Sequence, residues 1–335
     1  MTLISKFVAL KNYIPVGQPS ISDFTIKTEE IKLENSNQVL VANEWISVDP
    51  YMRARMTERK NYKTPFQINK PMEGAAIGKV IKSSSSKFSK DDVIISNYGW
   101  RDNFLANENE IYKINPIDVP LQTYLGPLGM TGHTAYIGLL KIGKLKKNQT
   151  IFVSSAAGSV GSMVCQIAKI NGCKVIASTG SDEKVKWLIE ELGVDYAFNY
   201  KKIENLVLHL KSLCPAGYDL YFDNVGGDFL EAAIYRMKNY GRIVICGRIS
   251  QMNATSPSNG LKNMAHVLVK RLTIKGFLIF DHLNDHQDFE NNMNKWILNK
   301  KIKWKETIVE GLENSPKAFI DLLDGKNIGK MLVKI

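Results

Sequence analysis

Between residues 150 and 178 the hydrophobic pattern changes its period twice. Residues 150–155 (TIFVSS) form an apolar run of strand length that carries β-branched side chains. Val160, Val164, Ile167 and Ala168 then recur at helical spacing and define one apolar face. Asn171-Gly172 marks a helix stop, and 174–178 is a second apolar strand. The order is strand, glycine turn, helix, strand. The same alternation continues downstream. It predicts helices over 184–192, 202–213 and 229–237 and strands over 196–199, 219–224, 241–247 and 272–280. Alternation of this kind predicts a parallel sheet covered by helices, with ligands beyond the carboxyl ends of its strands. Asn224 and Cys246-Gly247-Arg248 follow two such ends and are expected to line a ligand cleft.

The first hundred residues differ. They are β-rich, with a candidate strand pair over 37–48, strands over 73–82 and 93–98, and a polar turn at 83–86. Residues 120–128 read as the crossing into the second domain, followed by a helix rich in small residues over 128–140. A chain of 335 residues favours two domains.

The turn Ala156-Ala157-Gly158-Ser159-Val160-Gly161 departs from G-x-G-x-x-G at its first position, where Ala156 stands. Gly158 lets backbone N–H groups approach a pyrophosphate, and Gly161 lets the helix pack close to the strand. The helix directs its positive end at the phosphates. A carboxylate about 20 residues further on would bind the ribose 2′-hydroxyl of NAD. Here that stretch is Ala177-Ser178-Thr179-Gly180-Ser181, without a carboxylate. This permits a 2′-phosphate, and Lys184 is placed to supply a positive charge. NADP(H) is therefore the expected cofactor.

The chain carries 44 Lys and Arg against 33 Asp and Glu, a formal charge of +11. Such a charge can attract nucleic acid or an anionic membrane. The segment 295–305, KWILNKKIKWK, reads instead as a helix ending near Asn299-Lys300 followed by a strand, with Trp296 and Trp304 half-buried. No apolar run reaches bilayer length, and residues 1–7 lack the apolar core of a signal peptide. Cys165, Cys173, Cys214 and Cys246 are scattered and form no C-x-x-C pair. A cytoplasmic location is expected, with neither a membrane nor nucleic acid as partner.

Taken together, several motifs resemble one family. They are Val48-Asp49-Pro50-Tyr51-Met52-Arg53, Leu128-Gly129-Met130-Thr131-Gly132-His133-Thr134-Ala135-Tyr136, the turn at 156–162, Gly180 to Lys184, and Phe222-Asp223-Asn224-Val225-Gly226-Gly227. Cys246-Gly247 with Ser250 and Asn253, and Val309-Glu310-Gly311-Leu312-Glu313-Asn314, complete the set. The chain resembles the zinc-independent medium-chain dehydrogenase/reductases, and within them the NADPH-dependent double-bond reductases that act on 2-alkenals, prostaglandins, leukotriene B4 and curcumin. The resemblance implies an α/β fold, a Rossmann doubly wound sheet (125–302) plus a GroES-like β-rich catalytic domain (1–124 with 303–335). It implies an active site in the cleft between them, and a homodimer with 271–280 as the pairing strand.

The resemblance also implies cofactor contacts. Gly158, Ser159, Val160 and Gly161 would meet the pyrophosphate, and Lys184 and Tyr200 the 2′-phosphate. Asn224, Cys246, Gly247, Arg248, Ile249, Ser250, Gln251, Met252, Phe277, Leu278, Ile279 and Asn327 would line the rest. Zinc is not expected: Met72 stands where a ligand His belongs, and no cysteine precedes residue 165. His133 reads as structural.

The implied reaction is reduction of the C=C bond of an α,β-unsaturated aldehyde or ketone. Hydride goes to the β-carbon and a proton to the α-carbon. Tyr51 and the ribose hydroxyl on the nicotinamide side are the candidate donors to the carbonyl oxygen. Met252 replaces a Tyr found in many relatives and cannot donate; it suits a larger hydrophobic enone. Arg53, Arg55 and Arg248 either bind a substrate carboxylate or pair with Asp and Glu, and the second is expected. The loops at 60–67 and 253–263 shape the substrate pocket. Two other functions fit the chain: an NADPH-dependent quinone reductase, and a non-catalytic NADPH sensor or nucleic-acid-binding protein.

Overall fold

The structure is a computed structural model that describes residues 2–59, 61–256 and 260–335. Lys60 and 257–259, within the two expected pocket loops, lie outside the described residues. The chain forms two compact units, Met1–Leu125 with Glu306–Ile335, and Gly126–Lys305.

The first unit opens with β1 (Thr2–Leu10), β2 (Phe24–Lys32) and β3 (Gln38–Ser47). These are followed by β4 (Ala76–Ser83), β5 (Val93–Ser96), β6 (Asn103–Asn107) and β7 (Tyr112–Lys113). Residues 37–48 are thus one long strand with two register shifts, not a strand pair. Asn43 does not turn the run: its Nδ2 donates to Tyr98 O and Arg101 O, both at 2.8 Å, and the register shifts carry Ala42-Asn43-Glu44 through the sheet.

The second unit begins with α1 (Met130–Tyr136), which widens into a π-helical turn over Ile137–Ile142. The single α-helix expected over 128–140 is therefore interrupted. Gly138 faces Phe222 and Phe277 there, and a Cβ on it would come within 2.7 Å of either ring. Then come β8 (Thr150–Val153), α2 (Ser159–Ile170), β9 (Lys174–Thr179), α3 (Asp182–Glu190), β10 (Tyr196–Asn199) and α4 (Leu206–Leu213). The unit closes with β11 (Tyr218–Asp223), α5 (Gly227–Arg236), β12 (Met237–Ile245), α6 (Met264–Lys270), β13 (Thr273–Gly276) and α7 (His286–Leu298).

Three helix starts differ from expectation: α3 and α5 begin earlier, at Asp182 and Gly227, and α4 begins later, at Leu206. Ser181 and Asn205 cap α3 and α4 by accepting the N–H groups of Lys184 and Leu208, and each cap sets the first helical residue directly after itself. Strand β13 ends at Gly276, and Phe280 lies in a 3₁₀ turn over Ile279–Asp285. Residues 301–305 are not a strand; β14 (Glu306–Glu310) starts after them. The chain ends in α8 (Ser315–Leu323) and β15 (Lys330–Lys334), which return to the first unit.

Among the described residues, the second unit's sheet has the order β10-β9-β8-β11-β12-β13, and all its pairings are parallel. This is the doubly wound arrangement, and the strand order reverses between β8 and β11. In the first unit the order is β14-β15-β3-β4-β5-β7, with β6 also on β3 and β1-β2 as a separate hairpin. The fold class read from the sequence, α/β with a Rossmann sheet and a β-rich partner, is what the chain forms. Phe152, Ile176, Tyr221 and Ile243 fill the core of the second unit, and Val8, Ile46, Trp100 and Phe319 that of the first.

Candidate active site

At the carboxyl end of β8 the chain turns through Ser155 (φ 49°) into α2. Gly158 is the residue before α2 and carries no capping side chain, so the first-turn N–H groups are left for an anion. A Cβ on Gly161 would lie 2.4 Å from Ser155 O, so only glycine lets α2 pack this closely on the turn. Ser159 Oγ donates to Thr131 Oγ1 at 2.7 Å and fixes the turn against α1. These features fit a dinucleotide pyrophosphate.

At the end of β9, the 3₁₀ turn Tyr200–Lys202 approaches Gly180. A Cβ on Gly180 would touch both Lys201 Cε (3.4 Å) and Tyr200 Oη (3.5 Å). Lys184 is buried, not a solvated helix residue, and its pKa is held below the usual 10.5 by burial and then by the charge of Lys201. Two cations and a tyrosine therefore gather where a 2′-phosphate would sit, and a phosphate would relieve their repulsion. Asp182, at the start of α3, is occupied by Lys202 and Asn199. Lys201 escaped the sequence reading, although it directly follows Tyr200.

At the switch point, Asn224 donates from Nδ2 to Ser154 O at 2.8 Å and from its backbone to Ser154 Oγ at 3.0 Å. The loop after β12 rests on the same turn: Ile249 N reaches Asn224 O at 3.3 Å and Ser250 N reaches Val225 O at 3.2 Å. Asn224 and the segment Cys246, Gly247, Arg248, Ile249, Ser250, Gln251 and Met252 are thereby brought together. Phe277 is half-buried, Leu278 exposed and Ile279 buried. Asn327 belongs to the first unit, is buried, and donates from Nδ2 to Gly329 O at 2.8 Å. A surface depression lined by Lys169, Lys174, Asp195 and Tyr196 lies at the amino ends of β9 and β10, the end opposite to where parallel sheets bind ligands.

In the first unit, Tyr51 lies in a 3₁₀ turn over Pro50–Met56. Lys63 Nζ stands 5.0 Å from its ring centroid. Burial, and then the charge of Asp49, push the hydroxyl well above its usual pKa of 10. It therefore stays a neutral donor through the physiological range. Three cations hold this turn. Lys330 Nζ, itself buried, donates to Val48 O (2.8 Å) and pairs with Asp49 (3.0 Å). Arg53 donates to Gly17 O at 2.8 Å. Arg55 donates to Thr64 O at 2.8 Å and pairs with Glu73 at 2.6 Å. Arg55 is thus committed to a carboxylate of the protein, as expected. Lys330 was missed; its partner is 281 residues away, and no local signal marks it.

Met72 is in the core. His133 is buried and stacks on Phe289, and burial lowers its pKa to about 4. Among the described residues no group of three or more His, Cys, Asp or Glu is gathered as a metal-ligand set, so the residues present do not fit a zinc site.

Fold and site define a dinucleotide-dependent oxidoreductase. Residues 6–114 match the family model described as the N-terminal domain of oxidoreductase, and 159–299 the one described as zinc-binding dehydrogenase. The chain is 41% identical to a 2-alkenal reductase (NADP(+)-dependent) of Nicotiana tabacum, over 99% of this chain and 97% of that one. It is also 41% identical to prostaglandin reductase 1 of Bos taurus, over 95% and 96%. A crystal structure of CurA in complex with NADPH from Vibrio vulnificus superposes with a TM-score of 0.92 at 36% identity, covering 98% of each chain. The chain belongs to the zinc-independent medium-chain dehydrogenase/reductases, in the NADP-dependent double-bond reductase group.

Proposed function

We propose that this protein uses NADPH to reduce the C=C bond of α,β-unsaturated aldehydes and ketones. The observation that carries the reading is the near-full-length likeness to a 2-alkenal reductase. The pairing of Lys184 with Lys201 beside Gly180 supports NADPH over NADH. When bound, the cofactor supplies hydride. The chain's part is to hold it and to stabilise the charge that develops. Gly158, Ser159, Val160 and Gly161 take the pyrophosphate, and Lys184, Lys201 and Tyr200 the 2′-phosphate. Asn224, the 246–252 segment, Phe277, Leu278, Ile279 and Asn327 are assigned to the remainder.

Addition at the β-carbon leaves negative charge on the carbonyl oxygen and requires a proton at the α-carbon. Tyr51 is the protein donor to that oxygen. Its raised pKa suits it to share its proton in a hydrogen bond rather than release it. Met252 has no donor to add, so Tyr51 carries this role on the protein side.

The test is oxidation of NADPH, and separately of NADH, with a medium-chain 2-alkenal, a phenyl-substituted enone and a quinone. NADPH-specific turnover of the enal or enone to a saturated carbonyl is expected. Hydroquinone as the only product, or cofactor binding without turnover, overturns the reading. Tyr51→Phe is expected to lower kcat by roughly 10²-fold or more, the effect of removing one oxyanion donor, with NADPH affinity unchanged.

We assign the protein to the cytoplasm, because all four cysteines are free, and no helix among the described residues is long and apolar enough to cross a membrane. We also assign it a homodimer, built on the open edge of β13 and the exposed apolar side chains of α6.

A further inference from the structure

Asp223, the last residue of β11, is fully buried at the switch point. Its Oδ1 accepts four donors: Tyr221 Oη at 2.7 Å, Gly226 N at 2.8 Å, Val225 N at 2.9 Å and Ser154 Oγ at 3.4 Å. Its backbone carbonyl accepts Cys246 N at 2.8 Å and Gly247 N at 3.0 Å. One residue therefore anchors two segments. The side chain shapes the turn carrying Asn224, and the main chain holds the start of the loop after β12. Tyr221 Oη also reaches Ser154 Oγ at 3.0 Å, so the network ties the ends of β8 and β11 together.

The other carboxylate oxygen, Oδ2, is buried and has no hydrogen-bond partner among the described residues. A buried oxygen left unsatisfied costs about 1–3 kcal/mol, and more when charged. An apolar side chain would strand the Val225 and Gly226 N–H groups, and an asparagine would bury unpaired N–H donors at the Oδ2 position, so the carboxylate is held by what Oδ1 organises. The cost falls where the strand order reverses, the place at which a dinucleotide crosses from one half of the sheet to the other.

We propose that Asp223 is a positioning residue for the nicotinamide half of the dinucleotide. It holds the 224–226 turn and the 246–250 loop in a ligand-ready arrangement through Oδ1, with Tyr221 as its support. Val225 N and Gly226 N would otherwise be free to turn toward water, and the loop resting on Asn224 and Val225 would follow. Among the described residues, none on β9 or α3 is hydrogen-bonded to Asp223. The inference rests on the reading of Asn224 and the 246–252 segment as cofactor-lining.

The experiment compares two ligands by calorimetric titration: NADPH, and adenosine 2′,5′-bisphosphate, which carries only the adenosine half. It is run on the full chain, on Asp223→Ala and on the isosteric Asp223→Asn. NADPH is expected to bind roughly thirtyfold more weakly to Asp223→Ala, which loses the charge-assisted acceptor. It should bind about fivefold more weakly to Asp223→Asn, which keeps a neutral one. Adenosine 2′,5′-bisphosphate should bind both as it binds the native chain. Should Asp223→Ala fail to fold, Asp223→Asn decides. Equal weakening of both ligands would show a general structural role and overturn the proposal, as would unchanged NADPH affinity in Asp223→Asn. Failure of the underlying reading is seen separately: if Ser250→Trp, at a side chain hydrogen-bonded to Val225 O and not to Asp223, leaves NADPH binding intact, the loop does not line the cofactor.

Discussion

Lys184 lies in the first turn of α3 with 9% of its surface exposed, beside the charge of Lys201. Both facts disfavour its charged form, and a bound 2′-phosphate restores it. The consequences are specific to NADPH. Lys184→Ala removes a charged hydrogen-bond partner worth about 1.5–3 kcal/mol, so NADPH should bind roughly ten- to hundredfold more weakly, with NADH unaffected. Titration of both cofactors by fluorescence checks this. Lys201→Ala should act in the same direction. The pH dependence follows from the sign of the shift. NADPH binds the protonated lysine, and without cofactor Lys184 loses its proton below the usual 10.5. NADPH affinity should therefore fall as pH rises through that lowered pKa, earlier than an ordinary lysine would allow, while NADH affinity stays level. Loss of both in parallel would remove Lys184 from the phosphate site.

At the scale of elements, Gly161 couples packing to binding. A Cβ 2.4 Å from Ser155 O must push α2 away from the turn that receives the pyrophosphate. Gly161→Ala should cost about 1–3 kcal/mol of stability, in the range of overpacked sites. It should also weaken both NADPH and NADH, as seen by denaturant unfolding and cofactor titration. Normal binding in a destabilised variant would separate the two roles. A second element is pinned by charge. Lys330→Met leaves Asp49 buried without its partner, and breaking a buried pair costs about 3–5 kcal/mol, measurable by the same unfolding experiment.

These cases show what was readable in the sequence. Strand β10 is visible because Tyr196–Asn199 is a short apolar run after Gly193, and the Gly158–Gly161 turn because its chemistry is local backbone geometry. The capped starts of α3 and α4, the π turn after α1 and the pairing of β15 with β3 depend on contacts that spacing does not record. Asp223 and Lys330 are ordinary charged letters until burial makes them costly.

Strand β13 is an edge of the six-stranded sheet, so one row of its backbone groups has no strand partner among the described residues. Exposed edges of this kind invite pairing with another chain unless charge, proline or a cover blunts them. Beside it, α6 presents Leu268 and Val269 at 79% and 63% exposure, and the segment after β13 adds Leu278 and Phe280. Apolar side chains clustered next to an unpaired edge mark an association surface. In the homodimer proposed above, a two-fold axis would set β13 against β13 and repeat these apolar side chains across it. Light scattering on the native chain should give twice the mass of one chain. Leu268→Glu with Val269→Glu places two charges in the buried part of that interface, and the mass should fall to that of a single chain. The monomer should retain NADPH binding, because the residues assigned to the phosphates lie at the start of α2, on α3 and in the turn after β10, on the other side of the sheet order from β13. A native chain that runs as a monomer would leave the β13 edge exposed in solution and remove the dimer from this account.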